Sequence, residues 1–187
     1  FVLKCTHDSG GVVICSDRAN FDERAAIIKL KRAMKTNPFW RTREWPYKDL
    51  IPKIICEKYI VDESGYELKD YKFFCFDGEP KLIQVDFGRF SNHRRNIYDT
   101  DWNLIPLSIK FPDDPTVEIP RPSTLDHMMY VAKKLSKGFV HVRVDLYSVH
   151  DKVYFGELTF HHGSGIEEFN PDSYNALLGS WIHLPSS

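Results

Sequence analysis

The sequence predicts an α+β fold built mostly from antiparallel sheets, with helices packed on one side of them. Three observations carry that expectation. The elements read ββα, then a run of strands, then α, ββ and a short α, not the strand–helix alternation that builds a parallel sheet. Strand-like runs follow one another across short polar turns, the strongest being Asp77-Gly78. In the last third, Val142 to Tyr147 and Val153 to Phe160 alternate apolar and polar residues across the turn Ser148 to Lys152, a hairpin pattern.

Taken in order, Phe1 to Cys5 and Val12 to Cys15 read as strands flanking the loop His7-Asp8-Ser9-Gly10-Gly11. Asn20 followed by Glu23 looks like a capping box opening a helix to about Lys35. Phe21, Ala25, Ile28 and the stem of Arg32 would line its inner face. Asn37 to Pro46 carries Phe39, Trp40 and Trp45 and reads as an irregular or partly helical connector; the tryptophans could stack a sugar or serve core or interface. Lys53 to Ile60 is a strand, followed by the turn Asp62-Glu63-Ser64-Gly65. Leu68 to Phe76 and Lys81 to Phe90 form a hairpin about Asp77-Gly78. Ser91 to Asp101 is polar and basic, and its Arg94 and Arg95 either hold an anion or belong to a solvated loop. Pro106 to Pro122 is loop or edge structure. Ser123 is expected to cap a helix carrying Leu125, Met128, Met129, Ala132 and Leu135, ended by Gly138. Pro171 to Leu178 is a short final helix.

A chain of 187 residues is long enough to bury a core as one large or two small domains. Its net charge of −1 gives no electrostatic case for binding nucleic acid or a membrane surface broadly. No apolar run approaches the ~18 residues of a spanning helix. Cys5, Cys15, Cys56 and Cys75 show no CxxC spacing, so buried reduced thiols in a cytoplasmic protein are expected, with a Cys5–Cys15 cross-strand disulfide as the weaker alternative. The chain opens on a strand at Phe1, so a segment is expected upstream.

The hairpin of the last third carries the most chemistry. Alternation puts Arg143, Asp145, Glu157 and Thr159 on one face, bringing a cation and two carboxylates close together. Hard oxygen donors of that kind suit Mg²⁺, usually with phosphate as co-ligand. Lys4 precedes a Ser-Gly-Gly loop whose backbone N–H groups could approach phosphate oxygens; equally it is an exposed strand lysine before a turn. Glu57 and Tyr59 end an apolar strand that could serve a purine edge. Asp70 and Lys72 share a strand face, and Arg89 ends the return strand after Asp86; a surface ion pair would explain them as well. His161-His162 lacks companion ligands at metal-binding spacing and reads as lining a site or solvent.

In this order the segments FVLKCTHDSGG, IICEKYI, DYKFFCFDGEPKLIQVDFGR, YDTDWN and VRVDLY…VYFGELTF…SG resemble the TupA-like (teichuronopeptide-biosynthesis) ATP-grasp family, over nearly the whole chain. The resemblance implies two α+β subdomains, residues 1–60 and 61–187, clamping ATP, with the preATP-grasp part absent from this sequence. By it, Lys4 contacts the α- and β-phosphates, and His7, Ser9, Gly10 and Gly11 belong to the loop covering them. Glu57 and Tyr59 lie at the adenine edge and Asp70 near the ribose. Lys72 and Arg89 lie near the phosphates and Arg143 at the transferred group. Asp145 and Glu157 hold Mg²⁺. Many relatives in the wider class have Asn where Thr159 stands, which puts a second magnesium site in doubt. The implied activity is carboxylate–amine ligation through an acyl phosphate, on a small-molecule or glycan-linked carboxylate, alongside surface-polysaccharide assembly proteins. The competing readings are a non-catalytic nucleotide- or glycan-binding module and a glycosyltransferase using Asp99-Thr100-Asp101.

Overall fold

The structure, a computed structural model, describes residues 1–65, 68–88 and 92–184. The chain divides into two compact units, Phe1–Ile60 and Val61–Ser187. All strand pairing is antiparallel among the described residues. None of their helices is long and apolar enough to cross a membrane.

The first unit is a three-stranded sheet of β1 (Val2–Cys5), β2 (Val12–Ile14) and β3 (Ile54–Glu57), in the order β2-β1-β3. Helix α1 (Glu23–Ala33) is capped by Asp22, whose Oδ1 accepts from the Ala25 amide at 2.8 Å, so the cap lies two residues beyond the expected Asn20. Its inner face is correspondingly different. Ala26 and Leu30 are buried, whereas Ile28 is 61% exposed. The end of α1 approaches the loop closely: a Cβ on Gly11 would stand 2.9 Å from Ala33 Cβ and 2.7 Å from Cys5 Sγ. Helix α2 (Phe39–Thr42) and a 3-10 turn (Trp45–Tyr47) follow, around a buried Phe39 with Trp40 and Trp45 exposed. The expected strand to Ile60 ends at Glu57, where pairing with Val2 ends. Cys56 is exposed on this edge strand, correcting the expectation of four buried thiols. Cys5 and Cys15 stand at opposite ends of the β1–β2 ladder, out of reach of a disulfide, and both are free.

The second unit holds a six-stranded sheet in the order β10-β9-β4-β5-β6-β7. Its strands are β4 (Asp70–Phe76), β5 (Glu79–Phe87), β6 (Arg94–Tyr98), β7 (Leu104–Ile105), β9 (His141–Val149) and β10 (Lys152–Thr159). The strands β8 (Ser108–Ile109) and β11 (Phe169–Asn170) pair separately. Asp77 and Gly78 have φ of 48° and 80°, and His150 and Asp151 have 48° and 59°. Both two-residue turns therefore have the positive φ at both positions that tight hairpins prefer. Helix α3 (Leu125–Ser136) follows Thr124, not Ser123, at its cap. Ser123 Oγ instead donates to Asp151 Oδ1 in the second turn, and Thr124 Oγ1 donates to Ser148 Oγ at 2.7 Å.

One sheet face buries Tyr71, Phe73, Ile83, Val85, Val144 and Leu146 under Leu125, Met128 and Ala132 of α3. On the other face Phe74, Phe76, Leu82 and Ile97 are covered by Leu107, Ile109 and Leu178, the last from helix α4 (Ser173–Ser180). Helices thus lie on both faces, not one. The covering segment spans only half of that second face. The remainder is polar.

Candidate functional site

The polar half is built by register. Glu157, Asp145, Lys72 and Gln84 stand side by side across β10, β9, β4 and β5. A neighbouring row sets Asp70, Asp86 and Arg95 across β4, β5 and β6. Lys72 Nζ lies 2.8 Å from Asp70 Oδ2 and 2.5 Å from Asp145 Oδ2. Arg143 grips Asp145 side-on, Nε to Oδ1 at 2.7 Å and Nη2 to Oδ2 at 2.8 Å. Its Nη2 also donates to Thr159 Oγ1 at 3.1 Å and stands 3.8 Å from Glu157 Oε1. Burial works against the Arg143 charge, but the charge and hydrogen bonds of Asp145 outweigh it and raise the pKa of the guanidinium. The Asp70–Lys72 pair is therefore no surface ion pair: the side chains of Asp70, Lys72 and Asp145 are 4%, 8% and 1% exposed.

Glu157 faces this cluster only because β10 carries a bulge. Near the turn Tyr154 pairs with Tyr147 and Phe155 with Leu146. Continued without interruption, that register would set Glu157 opposite Val144, on the apolar face. One extra residue, Gly156, shifts the pairing so that Glu157 meets Asp145 and Thr159 meets Arg143. The alternation read from the sequence gives the right face for these four residues; the bulge that makes it so was not foreseen. Crowding by neighbouring protein atoms, then the like charge of Asp145, raises the Glu157 carboxyl above its usual pKa. The side chain is nevertheless 61% exposed, so water damps both effects.

Among the described residues, three carboxylates (Asp70, Asp145, Glu157) stand against two cations (Lys72, Arg143). Asp145 and Glu157 are the oxygen donors that would hold a divalent cation such as Mg²⁺ together with water and phosphate oxygens, with both Asp145 oxygens already accepting from Arg143 and Lys72. No group of three or more His, Cys, Asp or Glu side chains poised for a metal occurs among the described residues, so the protein alone forms no closed cage. The Thr159 hydroxyl is engaged by Arg143, which makes it a brace for the guanidinium. Arg89 lies outside the described residues.

In the first unit Lys4 Nζ pairs with Glu57 Oε2 at 2.6 Å, both partly exposed. Ser9 and Gly10 are exposed, and the Gly10 amide donates to Asp8 Oδ1 at 3.0 Å. Tyr59 lies beyond the end of β3, half-buried. His7 turns inward: its Nε2 is 3.0 Å from Thr36 O and 3.2 Å from Ala33 O, at the carboxyl end of α1. Its ring ties the loop to the helix, and only its backbone is left to the loop surface.

Several residues of the second unit escaped the sequence reading. Arg94 and Arg95 belong to β6, not to a loop. Arg95 is buried, its Nε donating to Asp86 Oδ1 at 2.7 Å and its Nη1 to Ile109 O at 2.9 Å. The signal was there in Gln84 and Asp86, polar at alternate positions among Leu82, Ile83, Val85 and Phe87. The Asp99 carboxylate accepts from the amides of Asp101 (2.9 Å) and Asn103 (2.8 Å). Asp99-Thr100-Asp101 thus stands in a turn that the Asp99 carboxylate closes. His141 donates from Nδ1 to Cys75 O at 2.9 Å, and its ring lies against Phe76 and near His162. Burial, then the nearby His162, lowers its pKa to about 4. The unfolded chain binds a proton there near pH 6.5 that the folded protein refuses. Stability is therefore expected to fall as pH drops from about 6.5 to 4. A thermal-midpoint series over that range should flatten in His141→Phe; an unchanged slope would place the acid sensitivity elsewhere.

A family model described as TupA-like ATPgrasp matches residues 1–183. No curated protein matches the chain, and no solved structure does.

Proposed function

The chain belongs to the TupA-like ATP-grasp family, and from that premise we propose that it is an ATP-dependent carboxylate–amine ligase serving a bacterial surface polymer of the teichuronopeptide type. The observation that carries this reading is the Asp145–Glu157 pair, set across two strands beside Arg143 and Lys72. Phosphoryl transfer asks a protein mainly for placed positive charge and a fixed geometry. Lys72 and Arg143 supply the charge, and their bonds to Asp145 fix where it points. In the proposed reaction a substrate carboxylate takes the terminal phosphoryl group of ATP, and an amine then displaces phosphate to form an amide. Asp145 and Glu157 would hold Mg²⁺, which when bound supplies further positive charge beside the phosphate oxygens. Lys4, Ser9, Gly10, Gly11, Glu57 and Tyr59 are proposed to serve the nucleotide, with Asp70 at the ribose. A cytoplasmic setting, where ATP is made, and association with polysaccharide-assembly proteins belong to the same proposal.

Isothermal titration with a non-hydrolysable ATP analogue tests it. Binding should require Mg²⁺ and weaken about tenfold in Glu157→Gln, the loss of one charged ligand contact. Equal binding with and without Mg²⁺ would remove the metal assignment. Thr159, held by Arg143 where relatives in the wider class carry Asn, favours one alternative, a module that binds nucleotide without turnover. Release of ADP in the presence of carboxylate and amine separates the two.

A further inference from the structure

A groove of 630 Å³ opens in the second unit between residues 108–112 and the loop 163–170, lined among others by Lys110, Phe111, Glu167 and Glu168. Its size is that of a small-molecule site. Two carboxylates against one lysine leave its charged lining one unit negative. Glu167 is set in place by its neighbour: a Cβ on Gly163, which has a φ of 55°, would stand 2.0 Å from Glu167 Cγ. The nearby His162 ring holds the Glu167 carboxyl down at about 2 against the opposing effect of burial, with Arg95 and Lys110 adding to the lowering, so it is ionised at any working pH. Yet its basic neighbours stand off, Lys110 Nζ at 3.4 Å and His162 Nδ1 at 3.8 Å. A closed charged hydrogen bond spans about 2.7–2.9 Å. His162 Nδ1 is itself buried with no hydrogen-bond partner among the described residues. Beside these groups the Phe111 ring already lies near two cations of the chain, Arg95 at 5.0 Å and Lys110 at 5.8 Å.

We propose that this groove binds the amine-bearing acceptor, its ammonium group donating to Glu167. The word acceptor rests on the ligase reading; the preference for an amine rests on the groove. A carboxylate there would meet Glu167 and Glu168, whereas Lys72 and Arg143 offer the positive charge a carboxylate needs.

The test uses D-glucosamine and N-acetyl-D-glucosamine, alike in the ring and different in the cationic amine. In ¹H–¹⁵N spectra, glucosamine should shift amides of residues 108–111 and 163–168, and N-acetylglucosamine should shift them at least tenfold more weakly. Glu167→Gln should cost glucosamine at least tenfold in affinity while keeping the wild-type spectrum. Equal response to both sugars, shifts confined to other residues, or an unchanged affinity in a folded Glu167→Gln would overturn the proposal. Should that variant not fold, the two wild-type titrations decide. The ATP analogue is titrated into the same samples. Analogue binding without a groove response overturns this inference alone, and a groove response without analogue binding overturns the ligase reading alone.

Discussion

Replacing Lys72 with methionine is expected to destabilise the second unit by about 3–5 kcal/mol and to abolish ATP consumption. The size follows from what is left behind. Lys72 Nζ is the cation between Asp70 and Asp145, whose side chains are 4% and 1% exposed. Methionine fills much the same space without charge, so two carboxylates are left facing each other out of water. Arg143 still holds Asp145, but the cation between the two carboxylates is gone. The loss belongs to the broken pair and not to the absence of lysine as such. The double variant Lys72→Met/Asp70→Leu should therefore recover part of the stability while remaining inactive. Urea denaturation followed by circular dichroism reads both. A single-variant loss below about 1 kcal/mol would mean the cluster is hydrated and its geometry looser than described.

Gly156→Ala is the second. A Cβ at this position would stand 2.9 Å from the carbonyl oxygen of Asp145 and 3.1 Å from the Tyr147 ring. The first contact is backbone and cannot rotate away. The bulge must open or slide, at a cost of about 1–3 kcal/mol, typical of overpacking. Function should suffer more than stability, because sliding the ladder by one residue turns Glu157 from Asp145 toward the side of Val144. Mg²⁺-dependent binding of the ATP analogue should weaken at least as much as in Glu157→Gln. Gly179→Ala, with nothing within 4 Å of the added methyl, is the matched control and should be neutral. Wild-type nucleotide binding by Gly156→Ala would show that the Asp145–Glu157 pairing is dispensable.

What the sequence made legible, and what it hid, divides along physical lines. Local rules travelled well. Asp77-Gly78 turned where it should, Leu125, Met128 and Ala132 packed inward at helical spacing, and Arg143, Asp145, Glu157 and Thr159 came to one face. Caps slipped by one or two residues, from Asn20 to Asp22 and from Ser123 to Thr124, because neighbouring polar residues compete for the same geometry. Long-range pairing was the hidden part. That β4 lies beside β9, joining Lys72 to Asp145 across 73 residues of chain, leaves no trace in either segment alone. The same gap explains Arg95: its partner Asp86 is visible as a polar residue in an apolar strand, but only the β5–β6 register brings the two together. His7 reads as a loop residue until the end of α1 arrives above it.

The sheet face shared between a polar floor and an apolar core has a consequence for motion. Lys72 and Phe74 are two residues apart on the same strand: one meets the charged cluster, the other the packed interior. That strand lies in the middle of the sheet, its backbone amides bonded to neighbours on both sides. Exchange of those amides with solvent deuterium therefore requires the whole unit to open, and they should be among the slowest in the protein. The floor of the site cannot breathe to admit or release anything without the core giving way. The amides of irregular segments such as residues 161–168 should exchange orders of magnitude sooner than those of residues 71–75.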